Sequence, residues 1–210
     1  MIPSILYRGD ADLNGVRLLK PTIDYGQWQT NLISGGIGKD IISLPLENLV
    51  NRHVGYGWNK THFLSFSSDK QTAKRFGIGC EIRDLQKRLN ELTEYYESNC
   101  EWHFALMEID TRLIDINPLE TGIYEAYFVP TVQEFARHNS KYRMLIIDVV
   151  TYLLSLNNFD LYCDAIENAE RDNEYLILPA TLKKFNHDHF GYSAILDGGC
   201  ISRVTKFAEL

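Results

Sequence analysis

Long apolar runs are missing from this sequence. No stretch approaches the roughly 18 consecutive apolar residues that a membrane-spanning helix requires, and the N-terminus has neither the basic nor the apolar region of a cleavable signal peptide. We therefore expect a cytoplasmic protein without a membrane partner. Export by a route that needs no cleavable signal, and delivery as part of a larger toxin, stay open as alternatives.

Cysteine pairs and an excess of positive charge are missing as well. The four cysteines Cys80, Cys100, Cys163 and Cys200 form no CxxC motif, so no zinc site or redox site is indicated and no metal is expected. Acidic residues outnumber basic ones by 28 to 21, which gives a net charge of -7. This balance removes the general attraction to nucleic acid, although a local basic groove stays open.

The remaining composition is that of an ordinary globular protein, with 45% hydrophobic and 23% charged residues among 210. Strand patterns and helix patterns both occur and no internal repeat is present, so the sequence predicts an α+β fold. We expect residues 1–210 to form a single domain with helical insertions at about 82–98 and about 130–157.

The local patterns predict individual elements. In the first 116 residues, strands are expected at 4–8, 62–67, 102–109 and 113–116. The first of these strands should be broken at Gly9. In the C-terminal half, the apolar residues 144–150 suit a buried helix or a buried strand, and we expect a helix because the pattern continues to residue 154. We also expect an acidic surface loop at 164–172, a strand at 175–178 and a hairpin turn at 197–199. Residues 68–69 offer an N-cap for a helix at 70–76.

Tyr7, Arg8 and Gly9 form the first candidate for a functional site. An arginine on a strand can grip a phosphate or diphosphate with two hydrogen bonds, and a following glycine lets a ligand approach the backbone. The alternative is an exposed arginine at a strand end. The glycine-rich residues 35–40 resemble a phosphate loop only superficially, since they lack its spacing and its Lys-Ser/Thr ending.

Ser65 and Ser67 form the second candidate. They lie two positions apart on a predicted strand, so both hydroxyls should point to one side while Phe66 points into the core. Turn formation and helix capping are the alternative role for these serines.

Asp172 and Glu174 form the third candidate. In a locally extended segment their carboxylates would face one cleft. Two carboxylates suit the cleavage of a glycosidic bond, because one stabilises positive charge on the sugar and the other accepts a proton. A solvated acidic loop is the alternative.

In this order the three motifs resemble the Arg-Ser-Glu class of ADP-ribosyltransferases, which includes bacterial toxins. The class has an arginine on its first strand, and Tyr7-Arg8-Gly9 is similar to that motif. Ser65-Phe66-Ser67 is similar to the Ser-Thr-Ser strand of the class. Asp172-Asn173-Glu174 is similar to its Glu-x-Glu turn. Two residues depart from the pattern, because Phe66 replaces the central threonine and Asp172 replaces Glu or Gln.

The resemblance implies a split mixed β-sheet core and NAD as the co-substrate. It implies that Arg8 and Gly9 bind NAD, that Ser65 orients Glu174, and that Glu174 stabilises the ribose as nicotinamide leaves. It further implies that Asp172 activates the acceptor. Tyr7 and Ser67 would line the same site. Phe76 would stack on nicotinamide, and His62 would reach the ribose. The alternative for Phe76 and His62 is that both are structural residues of the core.

The main hypothesis from the sequence is a mono-ADP-ribosyltransferase acting on protein or nucleic acid, as an intracellular toxin or conflict enzyme with a restraining antitoxin. The acidic residues before Glu174 favour a basic acceptor such as arginine. Tyr56 and Trp58 could stack on nucleic-acid bases or pack at a strand entry. A NAD glycohydrolase and an inert interaction module of the same fold are the alternatives.

Overall fold

The computed structural model describes residues 1–11, 32–33, 37–38, 43–55, 61–78, 104–128, 142–184 and 191–206. The expected helix at 82–98, the aromatic residues Tyr56 and Trp58, and most of the glycine-rich stretch at 35–40 lie outside these residues, as do Cys80 and Cys100. Within the described residues, none of the helices has the length and apolar character that crossing a membrane would require.

Twelve strands and four α-helices occur in the described parts of the chain. The strands are β1 (Ile5–Ala11), β2 (Leu32–Ile33), β3 (Ile37–Gly38), β4 (Leu64–Ser67), β5 (Phe104–Asp110), β6 (Ile114–Glu120), β7 (Ile123–Phe128), β8 (Arg143–Asp148), β9 (Glu174–Pro179), β10 (Leu182–Lys184), β11 (Gly191–Leu196) and β12 (Arg203–Lys206). The helices are α1 (Leu46–Gly55), α2 (Lys70–Ile78), α3 (Val149–Ser155) and α4 (Phe159–Asp172). The expected α+β class is confirmed.

Eight of the strands form one sheet in the order β12-β5-β1-β4-β9-β8-β7-β6. The other four form a smaller sheet, in which β11 pairs with β10, β2 and β3. All pairings among the described strands are antiparallel. The expected mixture of parallel and antiparallel pairing is therefore not found in this part of the chain.

Two apolar clusters hold the large sheet. One packs α1, α3 and α4 against a face of the sheet and includes Val50, Ile166 and Leu176. The second includes Phe66 and Ile177. Because neighbouring side chains of a strand point to opposite faces, Leu176 and Ile177 anchor β9 in both clusters. The strand that begins with Glu174 is thus fixed from both sides.

Residues 143–148 form strand β8 and not the expected helix, so the helical insertion proposed for residues 130–157 is reduced to α3 in the described part of the chain. The apolar run serves both faces of the sheet, because Ile146 belongs to one apolar cluster and Ile147 to the other. The run changes to helix at Asp148, whose side chain accepts a hydrogen bond from the Thr151 amide at 3.1 Å.

The acidic segment before Glu174 is helix α4 and not a surface loop. Its buried residues Tyr162, Ala165, Ile166 and Ala169 recur at helical spacing and pack into the core. The helix ends at Asp172 and is capped by Asn173, which adopts a left-handed conformation with φ of 49°. Asp172 is the last residue of α4 and Glu174 is the first of β9, so the expectation that both belong to one extended segment is wrong.

Two further boundaries differ from expectation. Strand β1 continues through Gly9 to Ala11, because β5 pairs with it along its whole length. The proposed hairpin at residues 197–199 is a short 3-10 turn capped by Asp197, and β12 pairs with β5 instead of β11. By contrast, the cap predicted at residues 68–69 is confirmed, since Asp69 accepts from the Thr72 amide at 2.8 Å.

Candidate functional site

The three sequence motifs lie on neighbouring strands. β4 pairs with β1 on one side and with β9 on the other. Tyr7 lies opposite Ser67, and Ser67 lies opposite Glu174, so one row across the sheet contains a residue of each motif. Segments that are far apart in the sequence therefore meet in the centre of the sheet.

Arg8 bridges the two strands beside this row. Its Nη1 donates to the carbonyl oxygen of Ser65 at 2.9 Å. If the β1–β4 ladder continued past Tyr7 and Ser67, this carbonyl would face the backbone of Gly9. The guanidinium of Arg8 binds this carbonyl instead, and Tyr7 and Ser67 form the backbone pair between β1 and β4.

His53 is a site residue that the sequence motifs did not reveal. It lies on α1 and is 3% exposed. Its Nε2 is 2.7 Å from the hydroxyl oxygen of Ser65 and 4.0 Å from Oε1 of Glu174. Its Nδ1 makes a short hydrogen bond with the hydroxyl of Thr61. His53 therefore supports Ser65 from the side of the helices.

A sequence signal for His53 exists, although it is weak. Leu46, Leu49, Val50 and His53 follow the i, i+3, i+4, i+7 spacing of one helix face, and the last three of them are buried. A histidine on such a face must find polar partners in the core. Those partners, Thr61 and Ser65, become visible only in the folded chain.

Glu174 is held in a partly protonated state near neutral pH. Burial raises its pKa from the ordinary value of 4.5 to about 7, and the charge of Asp172 adds to this effect. A hydrogen bond from Ser65 and the positive charges of Arg8 and Arg171 act in the opposite direction. Its side chain is 14% exposed, so it is not completely enclosed.

His53 is neutral at physiological pH. Burial, followed by the positive charges of Arg8 and His62, lowers its pKa to about 3. Because Ser65 donates its single hydrogen to Glu174, we assign the ring proton of His53 to Nε2, where it can be donated to the Ser65 oxygen. Thr61 then donates to Nδ1. The hydrogen bonds run in one direction, from Thr61 through His53 and Ser65 to Glu174.

Asp172 is near Glu174, but its carboxylate has different hydrogen-bond partners. It is 4% exposed, and both of its oxygens accept hydrogen bonds from arginines. Oδ1 accepts from Nη2 of Arg75 and from Nε of Arg171 at 3.1 Å, while Oδ2 accepts from Nη2 of Arg171 at 2.7 Å. The carboxylate thus joins α2 to the end of α4.

Ser67 and Gly9 have structural partners. The Ser67 hydroxyl donates its hydrogen to the backbone carbonyl of Asp172 at 2.7 Å and accepts from the Asp69 amide at 3.0 Å. A Cβ atom at Gly9 would lie 1.9 Å from the carbonyl oxygen of Ala73. The missing side chain of Gly9 therefore lets α2 pack closely against β1.

The last two expected residues differ in their exposure. Phe76 is 41% exposed, and the guanidinium carbon of Arg75 lies 5.0 Å from the centre of its ring. His62 is buried and stacks on Phe63, and its Nδ1 has no hydrogen-bond partner within the described residues. Phe76 is therefore accessible to a ligand, whereas His62 is buried.

Among the described residues, no group of three or more histidine, cysteine or acidic side chains is placed to hold a metal ion. No protein-family model matches this chain, and no curated protein matches it. Function is therefore inferred from the geometry of Arg8, His53, Ser65 and Glu174.

Proposed function

We propose that this protein is an NAD-dependent enzyme that cleaves the bond between nicotinamide and ribose and transfers ADP-ribose to an acceptor. One observation carries the proposal. Arg8, Ser65 and Glu174 come from three separate segments and meet on adjacent strands, where Ser65 links the guanidinium of Arg8 to the carboxylate of Glu174. This order of residues is the one that the resemblance to ADP-ribosyltransferases implies.

The residues of the site fit NAD in charge and in hydrogen-bonding capacity. NAD supplies an activated ribose, whose bond to the cationic nicotinamide ring is the bond to be broken. Arg8 suits the diphosphate, since a guanidinium binds phosphate oxygens with paired hydrogen bonds. Phe76 offers an exposed ring that suits stacking on nicotinamide. Glu174 supplies an acceptor for ribose hydroxyls.

The chemical step depends on Glu174. The bonding electrons of the broken bond leave with nicotinamide, so positive charge develops on the ribose, and the Glu174 carboxylate stabilises it. As the acceptor forms its bond to the same carbon, it loses a proton, and Glu174 is placed to receive that proton. Ser65 and His53 keep the carboxylate in position through their chain of hydrogen bonds.

Hydrolysis of NAD is the second candidate, and one observation favours it. Transfer to a protein side chain was expected to use Asp172 as an acceptor-activating group, but its carboxylate is occupied by two arginines. Water needs no second base beyond Glu174. A toxin role in the cytoplasm, with an antitoxin as partner, rests on the sequence resemblance alone.

The test is release of nicotinamide from labelled NAD, measured for the wild type, Glu174→Gln and Glu167→Gln. Glu174→Gln keeps the shape of the side chain and removes its charge. Glu167 lies exposed on α4, so Glu167→Gln makes the same chemical change away from the site. We expect a loss of about 100-fold or more in kcat for Glu174→Gln and none for the control. Near-normal turnover of Glu174→Gln would refute the proposal.

The fate of the label then separates the two candidates. Incubation with a cell lysate, followed by separate digestion with protease and nuclease, shows whether ADP-ribose is attached to protein or to nucleic acid. Free ADP-ribose as the sole labelled product would identify a hydrolase.

A further inference from the structure

We propose that Arg75 is a positioning residue for nicotinamide release, because its side chain connects the turn before Glu174 with the aromatic ring of Phe76. The inference rests on the proposed cleavage of NAD, and it adds a residue that none of the three sequence motifs contains. Arg75 itself contacts no reacting atom in this arrangement. It acts through Asp172 at one end of its side chain and through Phe76 at the other.

Arg75 is held inside the fold although it is charged. Only 17% of its side chain is exposed, and its partner Asp172 is 5% exposed. The Nη2 atom of Arg75 donates a hydrogen bond to Oδ1 of Asp172. Removal of either partner from such a buried ion pair is costly, since it leaves the other charge without compensation. The guanidinium of Arg75 is therefore fixed in place, unlike that of an arginine in open solvent.

The carboxylate that Arg75 binds lies where several elements meet. Asp172 is the last residue of α4, and Glu174 is the first residue of β9. The Ser67 hydroxyl at the end of β4 donates to the backbone carbonyl of Asp172 at 2.7 Å. Arg75 adds α2 to this junction through the carboxylate of the same residue. The ion pair thus helps to fix the turn from which Glu174 enters the sheet.

The other contact of Arg75 is with Phe76. The guanidinium carbon lies 5.0 Å from the centre of the Phe76 ring, within the range of a cation–π interaction. This ring is 41% exposed. An exposed side chain ordinarily samples several rotamers, and contact with a fixed guanidinium favours one of them. Nicotinamide would then meet a ring that is already oriented.

Both contacts depend on the planar shape of the guanidinium. Arginine can donate to a carboxylate and also stack on an aromatic ring, whereas a lysine ammonium is a point charge on a flexible chain. Arg75→Lys keeps a positive charge for Asp172 and removes the planar group from Phe76. This variant therefore separates the two contacts.

The experiment measures nicotinamide release from labelled NAD by the full-length protein, with unlabelled nicotinamide added as a product inhibitor. In Arg75→Gln we expect kcat to fall about 10-fold or more, because the turn before Glu174 is less well fixed. The inhibition constant of nicotinamide should rise about 2- to 5-fold, because the Phe76 ring is less well oriented. Arg75→Lys should raise the inhibition constant in the same way and retain most of kcat.

Lys74→Gln is the matched control, because it removes one positive charge from the neighbouring position of α2. We expect it to change neither kcat nor the inhibition constant. An equal effect in Lys74→Gln would assign the result to the charge of the helix and overturn the inference.

A second pair of variants separates positioning from simple loss of folded protein. An unfolded fraction lowers the rate but leaves the inhibition constant of nicotinamide unchanged. In Phe76→Leu, the further change Arg75→Gln should not raise this constant again, since the two effects pass through one contact. A further rise of the same size would show that Arg75 does not act through Phe76.

The wild type distinguishes failure of this inference from failure of the proposed function. If the wild type releases no nicotinamide from NAD, the proposed function fails and this inference fails with it. If the wild type is active and Arg75→Gln has the same kcat and the same inhibition constant, only this inference fails.

Discussion

The Nε2 atom of His53 lies 2.7 Å from the hydroxyl oxygen of Ser65, and Ser65 in turn hydrogen-bonds Glu174. His53 on helix α1 is thereby connected, through Ser65 on β4, to the carboxylate of Glu174 on the neighbouring strand β9. Since His53 is neutral, it directs the Ser65 hydroxyl without adding charge to the site.

Replacement of His53 should impair turnover more than binding of NAD. In His53→Leu the Ser65 hydroxyl loses its partner and Glu174 is less well positioned, so we expect kcat to fall by about 10- to 100-fold with little change in KM. His53→Gln keeps an amide hydrogen for Ser65 and should retain more activity. Steady-state kinetics check this, with circular dichroism to confirm folding. An unchanged kcat in His53→Leu would remove the positioning role.

The pH dependence of nicotinamide release should report the ionisation of Glu174. The negatively charged form is the active one, so kcat/KM should rise with pH through an apparent pKa of about 7. Since the hydrogen bond from Ser65 lowers this pKa, Ser65→Ala should move the rise to higher pH. A profile that is already flat at pH 5, or that Ser65→Ala leaves in place, would contradict the assignment.

Glu174 should also make the fold less stable as pH rises. Its pKa in the folded protein lies above the ordinary value of 4.5, so the folded state holds its proton more tightly, and stability falls between about pH 4.5 and 7. At pH 8 Glu174→Gln should therefore be more stable than the wild type, by up to about 3 kcal/mol. Urea unfolding at pH 8 and at pH 4.5 measures this. An equal difference at both pH values would exclude the ionisation of Glu174 as its cause.

Gly9→Ala should destabilise the fold. The added methyl group would lie 1.9 Å from the carbonyl oxygen of Ala73 and would push α2 away from β1. We expect a loss of about 1–3 kcal/mol in the free energy of unfolding. Gly55→Ala is the matched control, because its nearest neighbour is a side-chain atom of Asn51 at 3.2 Å. Equal stabilities of the two variants would show that the close packing at Gly9 is unimportant.

Several elements were predictable because their signals are local. Asp69 caps α2 through an amide three positions ahead, and Leu64 and Phe66 alternate with Ser65 on a short strand. Other predictions failed where the same pattern fits two structures. The apolar residues 144–150 suit a buried helix as well as a strand, and burial on both faces of the sheet decides for strand up to Asp148.

The candidate site was predictable in part. Arg8, Ser65 and Glu174 could be selected from motif order and residue chemistry, although their adjacency on β1, β4 and β9 was not observable. His53 carried only the pattern of an apolar helix face. The surroundings of Asp172 were assigned wrongly, because its partner Arg75 is 97 positions away in the sequence.

The sequence by itself determined which side chains are available, the spacing that places the two serines on one side of a strand, and the cap that starts α2. These properties depend on residues within a few positions of one another, for which backbone geometry is the same in every fold. Tertiary structure decided the rest: the meeting of three motif strands, the contact of His53 with Ser65, and the pairing of Asp172 with two arginines. Such contacts depend on which strands and helices become neighbours, and that is set by burial of the whole apolar surface.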